Sequence, residues 1–554
     1  MIPGICESHA HVFYGALEVA GANVAESLSE EDAARMIYEH EKNLDNEWII
    51  AFGWNHEYWK KKELPTKKSL DKFFPDRPVV VINEELHGAW VNSKALEICR
   101  IDTESVIPEG MGKIGKGPDG IPNGYLLETY AMKPVLDKAF AMSDEKKKSL
   151  LDEYFNTTAG YGITSLSNLQ IHEILMEDVF EKMDGDGDLK VRMSLVASIN
   201  TPLEKLLAMK TKYHSEYLKF GGVKGFVDGT PMGYTGALIE EYSDRPGFYG
   251  EKYLSVETFG AKAVEFEKNG IRMRLHACGD DAVREALNIY EHCNKFGNGK
   301  TLRHTIEHFE VVHPDDIKRV GELSVIASVQ PDHMWAPIFS EHPFHKILGE
   351  ERCKYVYPFK SLAANGAILA FGSDHPIAEI DPMRGIYRAV TRLSEDKQPT
   401  GGWCPDEKLT VAEALKTILR ERLQIEIDDH EVGYVALHIH SAIGDEKVSV
   451  AMQTARAVRE CIDMIEKATG KPIDVLSLSY NRLMNHMKYM VARASTGEKL
   501  NLDMNEYMLD QYPQAYKVAT DICKNLEGCI GHKLDETETG YLAMHIQRVY
   551  KDAV

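Results

Sequence analysis

Over roughly its first 400 residues the chain repeats one unit, a short apolar run followed by a segment with helical spacing. Strands that alternate with helices pack as a parallel sheet, because each helical crossover returns the chain to the same end of the sheet. The runs are GICES near the start, GITSLS (162–167), VRMSLVAS (191–198), GVKGFVDG (222–229), IRMRLHA (271–277), LRHTIEH (302–308), VIASVQ (325–330) and AILAFGSD (367–374). Eight units are the number that closes a (β/α)8 barrel around a packed interior. The expected fold class is therefore α/β, a TIM-type barrel.

Two regions depart from that rhythm. Between the first and second runs, residues 12–160 carry their own strands WIIAFGW and RPVVVIN and the turn-rich stretch GKIGKGPDGIPNG. This reads as an inserted α+β subdomain, a lid or side domain over one barrel end. Beyond about residue 405 strand runs vanish and helical spacing takes over, as in Val458, Ile462 and Ile465 before the stop signal Gly470 and Pro472. That part reads as all-helical. Within it EVGYVALHIHSA (431–442) returns as ETGYLAMHIQRV (538–549), with Glu431, Gly433, Tyr434 and His438 in register with Glu538, Gly540, Tyr541 and His545. Such a period points to duplicated helical modules. Tyrosine and histidine at i, i+4 share a helix face, so a buried aromatic beside a satisfied histidine is the plain alternative.

A formal charge of -22 argues against direct binding to nucleic acid or an anionic membrane. No apolar run is long enough to span a bilayer, and Pro3 and Gly4 stand where a secretory signal would have a basic and then an apolar segment. The expected location is the cytoplasm. Nine cysteines without a C-x-x-C pair indicate neither a disulfide framework nor a thiolate zinc cluster.

Catalytic groups in such barrels come from the C-terminal ends of several strands. Here His9 and His11 end the first strand, on one face by the period of two; Lys224 lies on the fourth, His276 ends the fifth, His308 the sixth and Asp374 the eighth. Each has an ordinary reading by itself: a packed histidine, a solvated lysine, a turn aspartate. Together they supply the nitrogen and oxygen ligands of a divalent metal site, zinc by preference, with one or two ions. A zinc-bound water ionises near about pH 7, and Asp374 could take its proton and return it to a departing nitrogen. No G-x-x-x-x-G-K-[ST] phosphate loop is present. Hydrolysis of an amide or related C–N bond is therefore favoured over phosphoryl transfer.

PGICESHAH, GGVKGFVDGT, LHACGDDAVREAL, HTIEH and FGSDHP, in that order, resemble the signature of the amidohydrolase superfamily, nearest the N-substituted formamide deformylases and related metal-dependent hydrolases. HGAWVNSKAL (87–96) and ASVQPDHMW (327–335) strengthen the placement, which covers about residues 1–417. The resemblance implies that His9 and His11 hold a first metal and His276 and His308 a second. It implies Lys224 as a carboxylated bridge, and Asp374 as ligand and general base acting on a small-molecule amide. The family's terminal β-sandwich is expected to be missing, since the first metal motif stands at the start of this sequence and LTVAEALKT (409–417) runs into different sequence. GITSLSN also lacks the His or Asp that relatives often carry after this strand.

In the helical part, EVGYVALHIHSA, YNRLMNHMKYMVAR (480–493), YPQAYKVA (512–519) and ETGYLAMHIQRV resemble the PTS regulation domain (PRD) of sugar antiterminators and activators. Residues 444–554 match one module and 418–443 the closing helix of a preceding one. The resemblance implies His486 and His545 as phosphoacceptors from HPr or a sugar permease component, His438 as a remnant, and a homodimer whose interface phosphorylation resets. The competing class of function is a phosphotransferase-responsive regulator, or gene-fusion product, whose barrel is inactive.

Overall fold

The computed structural model describes residues 4–108, 112–172, 174–297 and 302–423, and beyond them 464–468, scattered residues between 482 and 500, 503–530 and 533–552. The chain divides into two compact units, one made mainly of Pro3–Thr410 and the other mainly of Leu423–Val554.

In the first unit, strand β1 (Ile5–Ala10) precedes six strands of a separate sheet: β2 (Ala22–Asn23), β3 (Ile49–Trp54), β4 (Val79–Asn83), β5 (Gly88–Val91), β6 (Lys113–Lys116) and β7 (Pro122–Leu127). The remaining strands are β8 (Ile163–Leu169), β9 (Arg192–Ser198), β10 (Leu218–Phe226), β11 (Met273–Ala277), β12 (Thr305–His308), β13 (Ile326–Val329) and β14 (Ile368–Phe371). β1 and β8 to β14 form one eight-stranded parallel sheet in chain order. Every residue of β11, β12 and β13 is buried, which is why these strands read as unbroken apolar runs instead of an alternation. The sheet closes where Ala10 pairs with His375 beyond β14, with Asp374 N donating to His9 O (2.8 Å) and His11 N to His375 O (2.9 Å). Gly372 permits that approach, since a Cβ there would lie 2.7 Å from both Glu7 Oε1 and His9 N. The eight-stranded barrel expected from the sequence is the fold observed.

The inserted sheet runs β2-β3-β4-β5-β7-β6, parallel over its first three strands and antiparallel thereafter. Trp54, Trp59 and Trp90 pack with Ile37, Val79 and Val81 on one face. The turn-rich stretch is a hairpin: β6 and β7 flank a tight reversal in which Gly120 N donates to Gly117 O (2.9 Å) and Gly120 has φ +78°. Its glycines and prolines mask the strands, because they are depleted in strand interiors.

In the second unit, helices Asn505–Gln511, Pro513–Ile530 and Glu538–Asp552 bury Leu483, Met487, Ile522, Leu526, Leu542 and Ile546 in one core. Ile465 joins that core, as its place in the helical spacing implies. The first copy of the repeat, with His438, lies outside the described residues. No helix among the described residues is long and apolar enough to cross a membrane.

Candidate metal centre

Parallel strands bring their C-terminal ends to one rim, and the six expected barrel residues meet there, all buried. Asp374 is central. Its Oδ1 lies 3.1 Å from His9 Nε2 and 3.0 Å from His11 Nε2, while Oδ2 lies 3.9 Å from His308 Nδ1 and 3.9 Å from His333 Nε2. His308 in turn has its ring centroid 5.1 Å from that of His9 and 4.3 Å from that of His276. Lys224 is 3% exposed, its Nζ 5.1 Å from the Phe226 ring.

Three histidines are oriented by the nitrogen they do not present to the centre. His9 donates from Nδ1 to Glu307 Oε2 (2.7 Å), His11 from Nδ1 to Leu169 O (2.8 Å) and His276 from Nε2 to Gly229 O (3.0 Å). Such bonds fix the tautomer and leave the opposite lone pair available. Glu307 is itself clamped by Arg274, whose Nε donates to its second oxygen at 2.5 Å and whose Nη2 donates to Ser8 O at 2.9 Å. Burial alone would raise the Glu307 carboxyl, but the Arg274 guanidinium and His9 outweigh it and hold it well below the usual range.

What remains at the centre is a set of buried polar atoms without hydrogen-bond partners: His9 Nε2, both nitrogens of His308, and Asp374 Oδ1. His9 Nε2 and Asp374 Oδ1 are close but not aligned to bond each other. An orphaned buried polar atom is costly. One ligand atom each from His9, His308 and Asp374 lie within 4.8 Å of one another, so a shared cation would satisfy all three. Electrostatics agree. Burial would raise the Asp374 carboxyl, yet His9 and His11 hold it far below its usual range, so it is anionic. Burial first, with the Lys224 ammonium adding to it for His276 and the neighbouring His276 ring for His308, keeps both of those imidazoles neutral, the ligand form. Burial also pulls the Lys224 ammonium down to about 8.

Several residues at the rim carry no sequence expectation. His333, in QPDHMW after β13, stacks 5.9 Å from His308 with its Nδ1 3.4 Å from Glu310 Oε1. Burial opposes its protonation, but Glu310 and Asp374 raise its pKa above the ordinary value. The β4–β5 loop of the inserted sheet supplies His87, which pairs with Glu128 Oε2 at 3.0 Å and lies close enough to Asp374 for the two charges to interact. Just past β8, His172 is buried, with the Tyr14 hydroxyl 2.8 Å from its Nδ1. Leu86, Glu128, His172, His308 and Asp374 all have positive φ (60°, 66°, 49°, 81° and 61°), so backbone strain gathers around this rim, as it does at functional sites.

In the helical unit, His486 and His545 stack with ring centroids 4.8 Å apart, and His486 Nε2 lies 3.5 Å from Glu538 Oε2. Arg493 binds Glu538 in bidentate fashion at 2.6 and 2.9 Å. His486 Nε2 and His545 Nδ1 have no hydrogen-bond partner. Burial, aided by Arg493 for His486 and by its ring neighbour for His545, lowers each to about 4.

The profile of the amidohydrolase family matches residues 1–421. The chain belongs to that family. This amidohydrolase is 30% identical over 446 residues to the protein LONG AFTER FAR-RED 3 of Arabidopsis thaliana, covering 78% of this chain and 75% of that one. It is 23% identical over 432 residues to the N-substituted formamide deformylase of Arthrobacter pascens, covering 75% and 77%. It shares the fold of an uncharacterized metal-dependent hydrolase from Pyrococcus horikoshii, with a TM-score of 0.61 at 23% identity over 75% of this chain and 79% of that one. The amidohydrolase part is followed by a PRD domain, matched over residues 459–549. There the chain is 25% identical to the PtsGHI operon antiterminator of Bacillus subtilis, over 26% of this chain and 52% of that protein.

Proposed function

We propose that the barrel hydrolyses an amide-type C–N bond other than a peptide bond, of the N-acyl or N-formyl kind, in a small molecule. The observation that carries this reading is the group of orphaned donors on His9, His308 and Asp374, buried at the mouth of a barrel whose strand ends present further nitrogen ligands. His9, His11, His276, His308 and Asp374 would hold a divalent cation, and zinc suits their nitrogen and oxygen donors. When bound, such an ion polarises a carbonyl and makes water a better nucleophile at neutral pH. Lys224, pulled toward neutrality by burial, is placed to accept carbon dioxide and become an oxygen donor.

Asp374 is suited to move the proton. Its Oδ1 faces the His9 and His11 Nε2 atoms at 3.1 and 3.0 Å, whereas Oδ2 has histidines no nearer than 3.9 Å, leaving room for a water or a substrate atom. Water would lose a proton to Oδ2 as its oxygen bonds to the carbonyl carbon, and that proton would pass to the nitrogen as the C–N bond breaks. His333, kept readily protonated by Glu310, stands beside the same oxygen and can donate to the developing oxyanion. The kinship with a formamide deformylase favours N-formyl substrates.

We further propose that His486 and His545 accept phosphate from HPr or a sugar permease component, and that the charge gained modulates a homodimer. Two neutral imidazoles with free nitrogens support this. The test is amine release from a panel of N-substituted formamides and N-acyl amines. Release should stop on metal removal and return with zinc, whereas a metal-free protein, or one indifferent to chelation, rejects the hydrolase. In parallel, phospho-HPr should label the full chain; absence of acid-labile phosphate on both histidines rejects the acceptor role.

A further inference from the structure

We propose that Cys278 is a metal ligand, forming with His276 and His308 a mixed imidazole and thiolate site for a thiophilic divalent cation. The inference rests on the metal reading above and deepens it, because it names a soft donor that the expected nitrogen and oxygen set does not contain.

His276 and Cys278 stand two residues apart across the end of β11, so their side chains project to the same side. Cys278 Sγ lies 3.3 Å from His276 Nε2, and the His276 and His308 rings are 4.3 Å apart. One ligand atom from each of the three lies within 4.8 Å of the others. Donors around a tetrahedral zinc, at bond lengths of about 2.0–2.3 Å, are separated by about 3.4–3.6 Å. The 3.3 Å separation is to the nitrogen that bonds Gly229 O, so it is the grouping of one ligand atom from each residue within 4.8 Å that brings the three within reach of that spacing. All three side chains are buried, at 5%, 1% and 4% exposure for His276, Cys278 and His308.

Two further observations aim the group at a ligand. Neither nitrogen of His308 has a hydrogen-bond partner, and the Nε2 bond of His276 to Gly229 O leaves its Nδ1 lone pair available. The loop that carries the thiol is also rigidly held. Asp228, fully buried, accepts from Cys278 N (3.0 Å), Gly279 N (2.8 Å) and Ala237 N (2.9 Å). A backbone fixed by three bonds to one carboxylate positions Sγ as a scaffold positions a ligand. His308 is shared with the His9 and Asp374 group, and its ring lies nearer His276 than His9. Thiolate donors favour zinc, cobalt and cadmium over magnesium and manganese, so the two ends of the mouth would differ in softness.

Cobalt(II) titration of the metal-stripped full chain tests this. The parent should develop a thiolate-to-cobalt charge-transfer band in the near ultraviolet together with the visible bands of a nitrogen and oxygen environment. Cys278→Ser should lose the former and keep the latter. In chelator competition the same variant should bind zinc at least about tenfold more weakly, since losing even an outer-shell partner costs that much. Manganese affinity should stay nearly unchanged. Cys278→Ala, followed by circular dichroism, gives a second reading in case the serine variant does not fold. A parent without the charge-transfer band, or a band that survives in both variants, overturns the role of Cys278 while leaving the hydrolase standing. Failure of the parent to take up cobalt at all overturns both.

Discussion

Both units gather histidines with unpartnered nitrogens, buried at the barrel mouth and half-buried in the helical unit, yet they surround them differently. At the barrel mouth each ring is turned by an outer partner, Glu307 for His9, the Leu169 carbonyl for His11 and the Gly229 carbonyl for His276, and an anionic Asp374 sits among them. In the helical unit the two rings stack on one another, and the nearby carboxylate of Glu538 is taken up by Arg493. The first environment concentrates lone pairs and negative charge on one point, which suits a cation. The second leaves neutral nucleophilic rings with no counter-charge of their own, which suits covalent modification by a phosphoryl group. The residue type is the same, and the neighbours decide its use.

Removing the central charge should break the barrel half of that contrast most severely. Asp374→Asn keeps the shape but cannot take a proton, so kcat for amide hydrolysis should fall about 10²–10⁴-fold. Steady-state kinetics on the zinc-loaded protein check this, and a variant that hydrolyses at the parent rate would remove Asp374 from the mechanism.

A smaller effect should follow from loosening an outer partner. Glu307→Gln still reaches His9 and Arg274 but loses the charge that orients and strengthens the imidazole. Metal affinity should drop about 10–100-fold, read by chelator competition, with a lesser change in kcat at saturating metal. Unchanged affinity would mean that the Leu169 and Gly229 carbonyl contacts suffice to hold the rings.

Glu307 also shows where the sequence stops being legible. All eight barrel strands and the six barrel side chains expected at their ends could be read from apolar runs and polar strand ends, because burial on both faces and convergence at one rim follow from the architecture. Glu307 could not. A period of two places it and His308 on opposite faces, but His308 has φ +81° and the next residue, Phe309, φ +52°. That reversal brings the carboxylate and the imidazole into the same interior, a consequence of backbone strain that alternation does not anticipate. His87 and His172 are hidden for another reason. Their place at the mouth depends on how the inserted sheet and the segment after β8 pack, and no local pattern encodes that. Cys278 is hidden because a single cysteine, outside any C-x-x-C pair, carries no ligand spacing of its own.

The helical pair offers the mildest and most discriminating effect. His486 and His545 have an ordinary pKa of 6.5, lowered to about 4 in the folded unit chiefly by burial. Folding thus favours the neutral ring, and the unfolded chain binds more protons between those values. The stability this contributes is fully present above pH 6.5 and is lost as the pH falls through the window toward about 4. Hydrogen exchange over helices Pro513–Ile530 and Glu538–Asp552 in the full chain should therefore show protection declining across that window. His486→Asn with His545→Asn should flatten the decline, because asparagine does not titrate. Protection that falls equally in the double variant would assign the acid sensitivity to other groups and place the two rings in a wetter setting than their stacking implies. It would also erase the contrast with the barrel, where acid must displace a cation instead of merely charging a ring.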